Sequence, residues 1–123
     1  MADVQQLAQQ FTQFFYQTFS VRANRNQLVT MYAPTAQLNY NGRTYNGQEG
    51  ANTLFMNNFQ LGDMQVNPIQ VSSVSAAGGA LVSTYCEFQE ASGMKGTFCQ
   101  SFILLPDATG NITIGGDIFA VNM

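Results

Sequence analysis

The side chains able to do chemistry in this sequence are mainly seven carboxylates and two thiols, and no histidine stands among them. The missing imidazole removes the commonest general base and the commonest metal ligand. Ser–His and Cys–His nucleophile pairs cannot be built. Cys86 and Cys99 lack metal-ligand spacing, and the start of the chain reads as no export signal, so both are expected to be reduced, small core residues. Most of the acids, Asp3, Glu49, Asp63, Glu87, Glu90, Asp107 and Asp117, fall near expected turns or element ends, where a solvated charge is the default. Glu87 and Glu90 approach one hairpin tip. Asp117 differs, because it follows Gly115-Gly116 and precedes Ile118-Phe119. A carboxylate inside an apolar strand must be hydrogen-bonded or lie at an open rim, and a tie to backbone or to a partner subunit is expected. Gly78-Gly79 and Gly115-Gly116 lie between strands, as turns or bulges, not ahead of a helix as a phosphate-cradling loop. No catalytic set, cofactor or metal is expected.

The elements that carry these residues follow from hydrophobic spacing. Val4, Leu7, Ala8, Phe11, Phe14, Phe15 and Phe19 recur at the intervals of one helix face, with glutamines opposite, and Asp3 is placed to cap the first turn. A face this rich in phenylalanine needs a broad surface such as a sheet. Asn24 would cap a short second helix reaching Met31, with Leu28 and Met31 inward and Pro34 ending it. Leu38 and Tyr40 alternate with polar residues up to an Asn41-Gly42 hairpin turn, and Thr44 and Tyr45 begin the return. Gly47 stops that strand. Residues 48–58 read as a third helix with Ala51, Leu54 and Phe55 on one side. From Asp63 the chain reads as extended, with Pro68 marking an edge strand or a bulge. Strands over 80–90, 97–105 and 112–121 follow, separated by Gly- and Pro-bearing turns. Helices on one face of a largely antiparallel sheet make an α+β fold, one domain over 1–123. The sheet's second face, dressed with Tyr85, Phe88, Phe102 and similar side chains, would present an apolar patch that calls for a partner.

Composition narrows the function classes. The net charge is −3, and the four basic residues, Arg22, Arg25, Arg43 and Lys95, form no cluster. A nucleic-acid surface needs several cations to neutralise phosphates, so a nucleic-acid partner is not expected. No apolar run approaches the ~20 residues of a membrane span. The sequon Asn111-Ile112-Thr113 carries no meaning without a secretory route.

Four ordered segments, FTQFFYQTF (11–19), LNYNGRTYNG (38–47), FCQSFILLP (98–106) and GDIFAVN (116–122), resemble the nuclear transport factor 2 family in order and spacing across nearly the whole chain. The resemblance implies a cone: a strongly curved, mostly antiparallel sheet wrapping a long first helix, with two shorter helices and a hydrophobic cavity at the open end. It implies a homodimer paired through its sheets. It implies a carrier that binds Ran-GDP, contacts phenylalanine–glycine (FG) repeat nucleoporins, and works in cytoplasm and nucleus and at the nuclear pore. An aromatic anchor in an apolar pocket with a charged surround would hold the partner. The carried-over Ran-binding positions are Tyr40, Asn41, Glu90, Met94, Asp117 and Phe119. Tyr40 stands where the family has tryptophan, and Asn41 where it has glutamate. Glu90 begins the family's acidic hairpin turn, which continues here as Ala91-Ser92-Gly93. Met94 falls at the cavity lip, and Phe119 faces the cavity. Ala120 replaces an arginine, and Val4 replaces the aromatic that helps hold FG repeats.

The same superfamily includes ketosteroid isomerase, which needs an Asp base and a Tyr-plus-acid oxyanion hole. Tyr16 on the first helix offers a phenol, but Asn39-Tyr40-Asn41 has no acid where the base would stand. A carrier, not an enzyme, is expected. The alternatives are an adaptor or a small-ligand-binding member of the superfamily.

Overall fold

The computed structural model describes residues 3–76 and 78–122. Helix α1 (Val4–Phe19) starts where expected, with the Asp3 carboxylate accepting the Gln5 N–H at 3.2 Å. Its inward face carries Ala8, Phe15, Tyr16 and Phe19. The next stretch departs from the sequence reading. A single 3₁₀ turn (Arg22–Asn24) precedes a four-residue helix, α2 (Asn26–Val29), whose N-cap is Arg25, without a side-chain cap bond. Asn24 therefore caps nothing, and Pro34 does not end the helix. Strand β1 (Tyr32–Tyr40) has already begun before Pro34, which sits exposed in the stretch where β1 slips register against its neighbour. Proline lacks the N–H that a regular ladder would use, so this is where a strand tolerates it.

The tight turn Asn41-Gly42 has both residues at positive φ, 48° and 89°, as a two-residue hairpin requires. It returns β2 (Arg43–Asn46) onto β1. Helix α3 (Gly47–Thr53) runs into one π-helical turn (Leu54–Asn58), burying Ala51, Leu54 and Phe55. Four long strands complete the sheet: β3 (Met64–Ala76), β4 (Gly79–Glu90), β5 (Lys95–Pro106) and β6 (Ile112–Asn122). The strand order is β2-β1-β6-β5-β4-β3, antiparallel except for the parallel β1–β6 pair. The fold is α+β with a mixed, mostly antiparallel sheet of six strands, as the sequence pattern implied.

Bulges bend the sheet where the sequence marked them. Pro68 pairs with Cys86 and Gln70 with Tyr85, leaving Ile69 as the extra residue of the edge strand β3. Ile103 pairs with Gly116 and Leu104 with Ile114, leaving Gly115 as the extra residue of β6. Alternation then decides the faces. On β4 and β5 the even-numbered residues point inward, so Phe88 and Phe102 join Val82, Cys86, Phe98 and Leu104 in the core. Of the three aromatics assigned to the second face, Tyr85 alone is there. Around it lie Leu81, Ile103 and Ile118, all exposed. Cys99 points outward too, opposite Tyr85, so only Cys86 is the expected core thiol.

Candidate functional site

The residues carried over from the resemblance fall into three places. Tyr40 ends β1, and its half-buried ring lies against Phe59 and Phe119, with centroids 5.8 and 5.5 Å away. Phe119 is itself buried, ringed also by Phe19 and Phe98. The interior behind Tyr40 is therefore filled with aromatic rings. Asn41 adjoins Tyr40, but its side chain is committed to the backbone. The Asn41 Oδ1 accepts the Val121 N–H at 2.8 Å, and the Asn41 N–H donates to the Phe119 carbonyl at 3.0 Å. This short amide fastens the β1–β2 corner to β6. A cleft of about 240 Å³ opens beside it, lined by Tyr40, Asn41, Arg43, Tyr45 and Asn58.

Glu90 and Met94 form the second group, at the β4–β5 tip and the same end of the sheet. The Glu90 N–H donates to the Met94 carbonyl at 2.7 Å. The Glu90 carboxylate accepts the Ser92 hydroxyl and, at 2.7 Å, the Gly62 N–H. Both bonds favour the ionised form and hold this carboxyl below its usual range, the Ser92 hydroxyl most. A cleft of about 350 Å³ lies here, lined by Asp63, Met64, Gln65, Gln89, Glu90 and Ala91. Phe59 links the two groups. Its ring touches Tyr40 and Phe119, and its chain leads through 60–63 to the Glu90 contact.

Asp117 stands apart from this rim. The Gly115 bulge and the alternation of β6 turn it inward, two residues deeper than Phe119, and it is 3% exposed. Its partners are side chains of its own chain, not the backbone. The Tyr32 hydroxyl donates to Oδ2 at 2.6 Å, and the Gln100 amide donates to both oxygens at 3.0 Å. Gln100 Oε1 in turn accepts the Tyr16 hydroxyl at 2.9 Å, and Tyr16 meets Thr84 Oγ1 at 2.7 Å. Burial raises the Asp117 carboxyl to about 6, against the lowering from its two donors. Burial also pushes the Tyr16 and Tyr32 phenols well above their ordinary values. The Tyr16 phenol that an isomerase would aim at substrate is thus enclosed and fully partnered.

Val4 lies at the opposite end of α1 from Phe19, half-buried against the core. The nearby Gln5 side chain bonds the edge strand, donating to the Val71 carbonyl and accepting the Ser73 hydroxyl. Among the described residues no three His, Cys, Asp or Glu come together as metal ligands. No helix among them is long and apolar enough to cross a membrane.

Sequence reasoning passed over Arg25, Phe59 and Gln100. Arg25 is 0% exposed, with its guanidinium 4.7 Å from the Phe19 ring centroid and 4.9 Å from that of Phe59. Its spacing of three from Leu28 puts both on one helical face, which was the available signal. For Gln100 the signal was its place between Phe98 and Phe102 on alternating positions.

The nuclear transport factor 2 (NTF2) domain profile matches residues 7–121. A nuclear transport factor 2 from Emericella nidulans is 32% identical, with 97% of this chain and 95% of that protein covered. One from Schizosaccharomyces pombe is 29% identical, with 99% and 98% covered. The solved structure of nuclear transport factor 2 from Cryptosporidium parvum superposes with a TM-score of 0.86 at 28% identity, over 97% of this chain and 94% of that one. With the profile, the relatives and the sheet topology in agreement, this chain belongs to the nuclear transport factor 2 domain family.

Proposed function

We propose that the protein binds the GDP form of the small GTPase Ran at the Tyr40–Glu90 end of the sheet and carries it into the nucleus through the nuclear pore. The observation that supports this reading most is the half-exposed Tyr40 ring, seated on Phe59 and Phe119 at the same end as the fixed Glu90 carboxylate. That combination offers an apolar surface to a partner's aromatic anchor and a charge to its basic surround. The rim is less acidic than the family pattern, since a neutral asparagine stands at 41, and its side chain is spent on Val121. The enclosed Tyr16 and Asp117 favour a carrier over a catalyst. Contacts with FG-repeat nucleoporins, Val4 among them, complete the reading.

Titration calorimetry against Ran is the test. Heat with the GDP form and none with the GTP form is the expected result. No heat with either form would overturn the transport reading, and the function would pass to an adaptor or a small-ligand carrier.

A homodimer through the outer sheet face belongs to the same proposal. Leu81, Ile103, Ile118 and Tyr85 lie there, with Ile118 60% exposed. Ile118→Glu places a charge in that patch. Sedimentation at micromolar concentration should show the wild type at twice the mass of one chain and the variant at the mass of one. A wild type sedimenting as a single chain would overturn the dimer.

A further inference from the structure

Arg25 is a cation wholly inside the protein, and among the described residues no carboxylate bonds it. Its fork is spent on main-chain oxygens. Nε donates to the Phe19 carbonyl at 2.8 Å, one terminal nitrogen donates to the Leu61 carbonyl, and the other to the Gly62 carbonyl at 2.8 Å. The guanidinium also sits near the Phe19 and Phe59 rings, where their π faces attract it. A lysine, with one point charge and no planar fork, cannot reproduce three divergent bonds. Burial lowers the Arg25 pKa to about 10, so it stays charged near neutrality.

The clamp has a direction. The peptide unit whose carbonyl Arg25 holds at Leu61 is the one whose N–H, at Gly62, donates to Glu90 Oε2 at 2.7 Å. The next residue continues the tie: the Asp63 carbonyl accepts the Ala91 N–H at 2.8 Å, and Asp63 Oδ1 accepts the Arg22 N–H at 2.9 Å. Segment 60–63 is thus held by Arg25 on its inner side and holds the β4–β5 tip on its outer side. Asp63 and Arg22 are exposed, and the other charge in this run is Glu90 itself.

We propose that Arg25 is a positioning residue for partner binding: by clamping the Leu61 and Gly62 carbonyls it aims the Gly62 N–H at Glu90 and fixes that carboxylate at the β4–β5 tip. The binding half of this inference rests on the proposed function. The positioning half does not. A carboxylate fixed before encounter spares the partner the cost of ordering it.

The experiment has two arms. In the first, without any partner, the Glu90 carboxyl is titrated by NMR and the Gly62 amide followed by hydrogen exchange in wild type, Arg25→Lys and Arg25→Met. The expected result is a Glu90 midpoint moving up toward the ordinary glutamate range and faster Gly62 exchange in both variants, with β5 amides still protected in Arg25→Lys. Arg25→Lys keeps the arm decisive should Arg25→Met fail to fold. An unchanged Glu90 midpoint in folded Arg25→Lys would overturn the proposal. In the second arm, Ran-GDP binding is measured for wild type, Arg25→Lys, Glu90→Gln and the double variant. Arg25→Lys should weaken binding roughly fivefold in the wild type and not further in Glu90→Gln, the signature of two residues acting through one contact. Equal losses in both backgrounds would mean that Arg25 acts elsewhere, and would also overturn it. Wild type that binds no Ran-GDP sinks the functional reading alone, and the first arm still decides whether the clamp sets Glu90.

Discussion

Replacing Phe19 by alanine should lower the free energy of unfolding by about 4 kcal/mol, the usual loss for a buried aromatic. Phe19 is 0% exposed and meets the rings of Phe15, Phe55, Phe59, Phe98 and Phe119. It also forms one side of the site that holds the Arg25 guanidinium. The loss therefore has two parts, an empty volume among five rings and a buried cation with one aromatic face removed. Urea denaturation is the measurement. With a slope of about 2 kcal/mol per molar, typical of a small protein, the midpoint should fall by about 2 M. Phe14→Ala is the control, since Phe14 lies on the same helix, is itself 52% exposed and should shift the midpoint little. Equal small shifts for both would mean that the helix does not seat on the sheet as described.

Stability should rise as pH falls from 7 toward 4.5, because of Asp117. Its folded-state pKa is raised to about 6, chiefly by burial, whereas an unfolded aspartate titrates near 3.8. The folded chain therefore takes up a proton before the unfolded one, and within that window stability falls as pH rises through 6. The part realised between pH 7 and pH 4.5 is on the order of 2 kcal/mol. The depressed Glu90 and Asp107 carboxyls act oppositely, their contribution being lost as acid protonates them at the low end. Subtracting the profile of Asp117→Asn isolates the buried group. An asparagine can still accept the Tyr32 hydroxyl, but its amide N–H must find the Gln100 oxygen. Gln100 then turns over, its amide N–H₂ donates to the Tyr16 hydroxyl oxygen, and Tyr16 donates to Thr84 instead. The difference between wild type and variant should move in the wild type's favour on going from pH 7 to pH 4.5. Parallel profiles across that range would refute an isolated buried carboxylate.

Local signals were legible wherever a short stretch decides its own conformation. The spacing from Val4 to Phe19, the Asn41-Gly42 turn and the edge-strand bulge at Pro68 each express backbone rules acting within a few residues, and each appears where it was read. The Asn24 cap failed because Arg25, drawn inward by the Phe19 and Phe59 rings, outweighs the local preference of asparagine for a helix start. Phe88 and Phe102 were assigned outward, although on β4 the polar Ser83, Glu87 and Gln89 mark the odd-numbered side as the solvent one. On β5, where polar and apolar residues mix on both sides, the parity is chosen by the packing. That choice is made by what lies across the core, such as the Phe102 contact with Phe11 and Phe15. The candidate site divides in the same way. Tyr40, Glu90 and Phe119 were found through resemblance, and they do fall at one end of the sheet. The partners of Asp117 lie 85 and 17 residues away in sequence. Nothing local to Gly116–Ile118 announces a tyrosine from β1 or an amide from β5.

The strand order carries a consequence for how the chain is made. Of the six strands β6 is the last to be synthesised, yet it belongs between β1 and β5, near the centre of the sheet. Until it arrives, β1 and β5 each offer an open edge, and Phe119 and Asp117 are missing from the interior. The nascent chain must keep two adhesive edges apart while the piece that joins them is still being synthesised. Such long-range pairing is slow to form and exposed to misassociation. Holding the growing chain apart from its neighbours over that interval is a task for chaperones at the ribosome exit, and synthesis that pauses before residue 112 would lengthen their work.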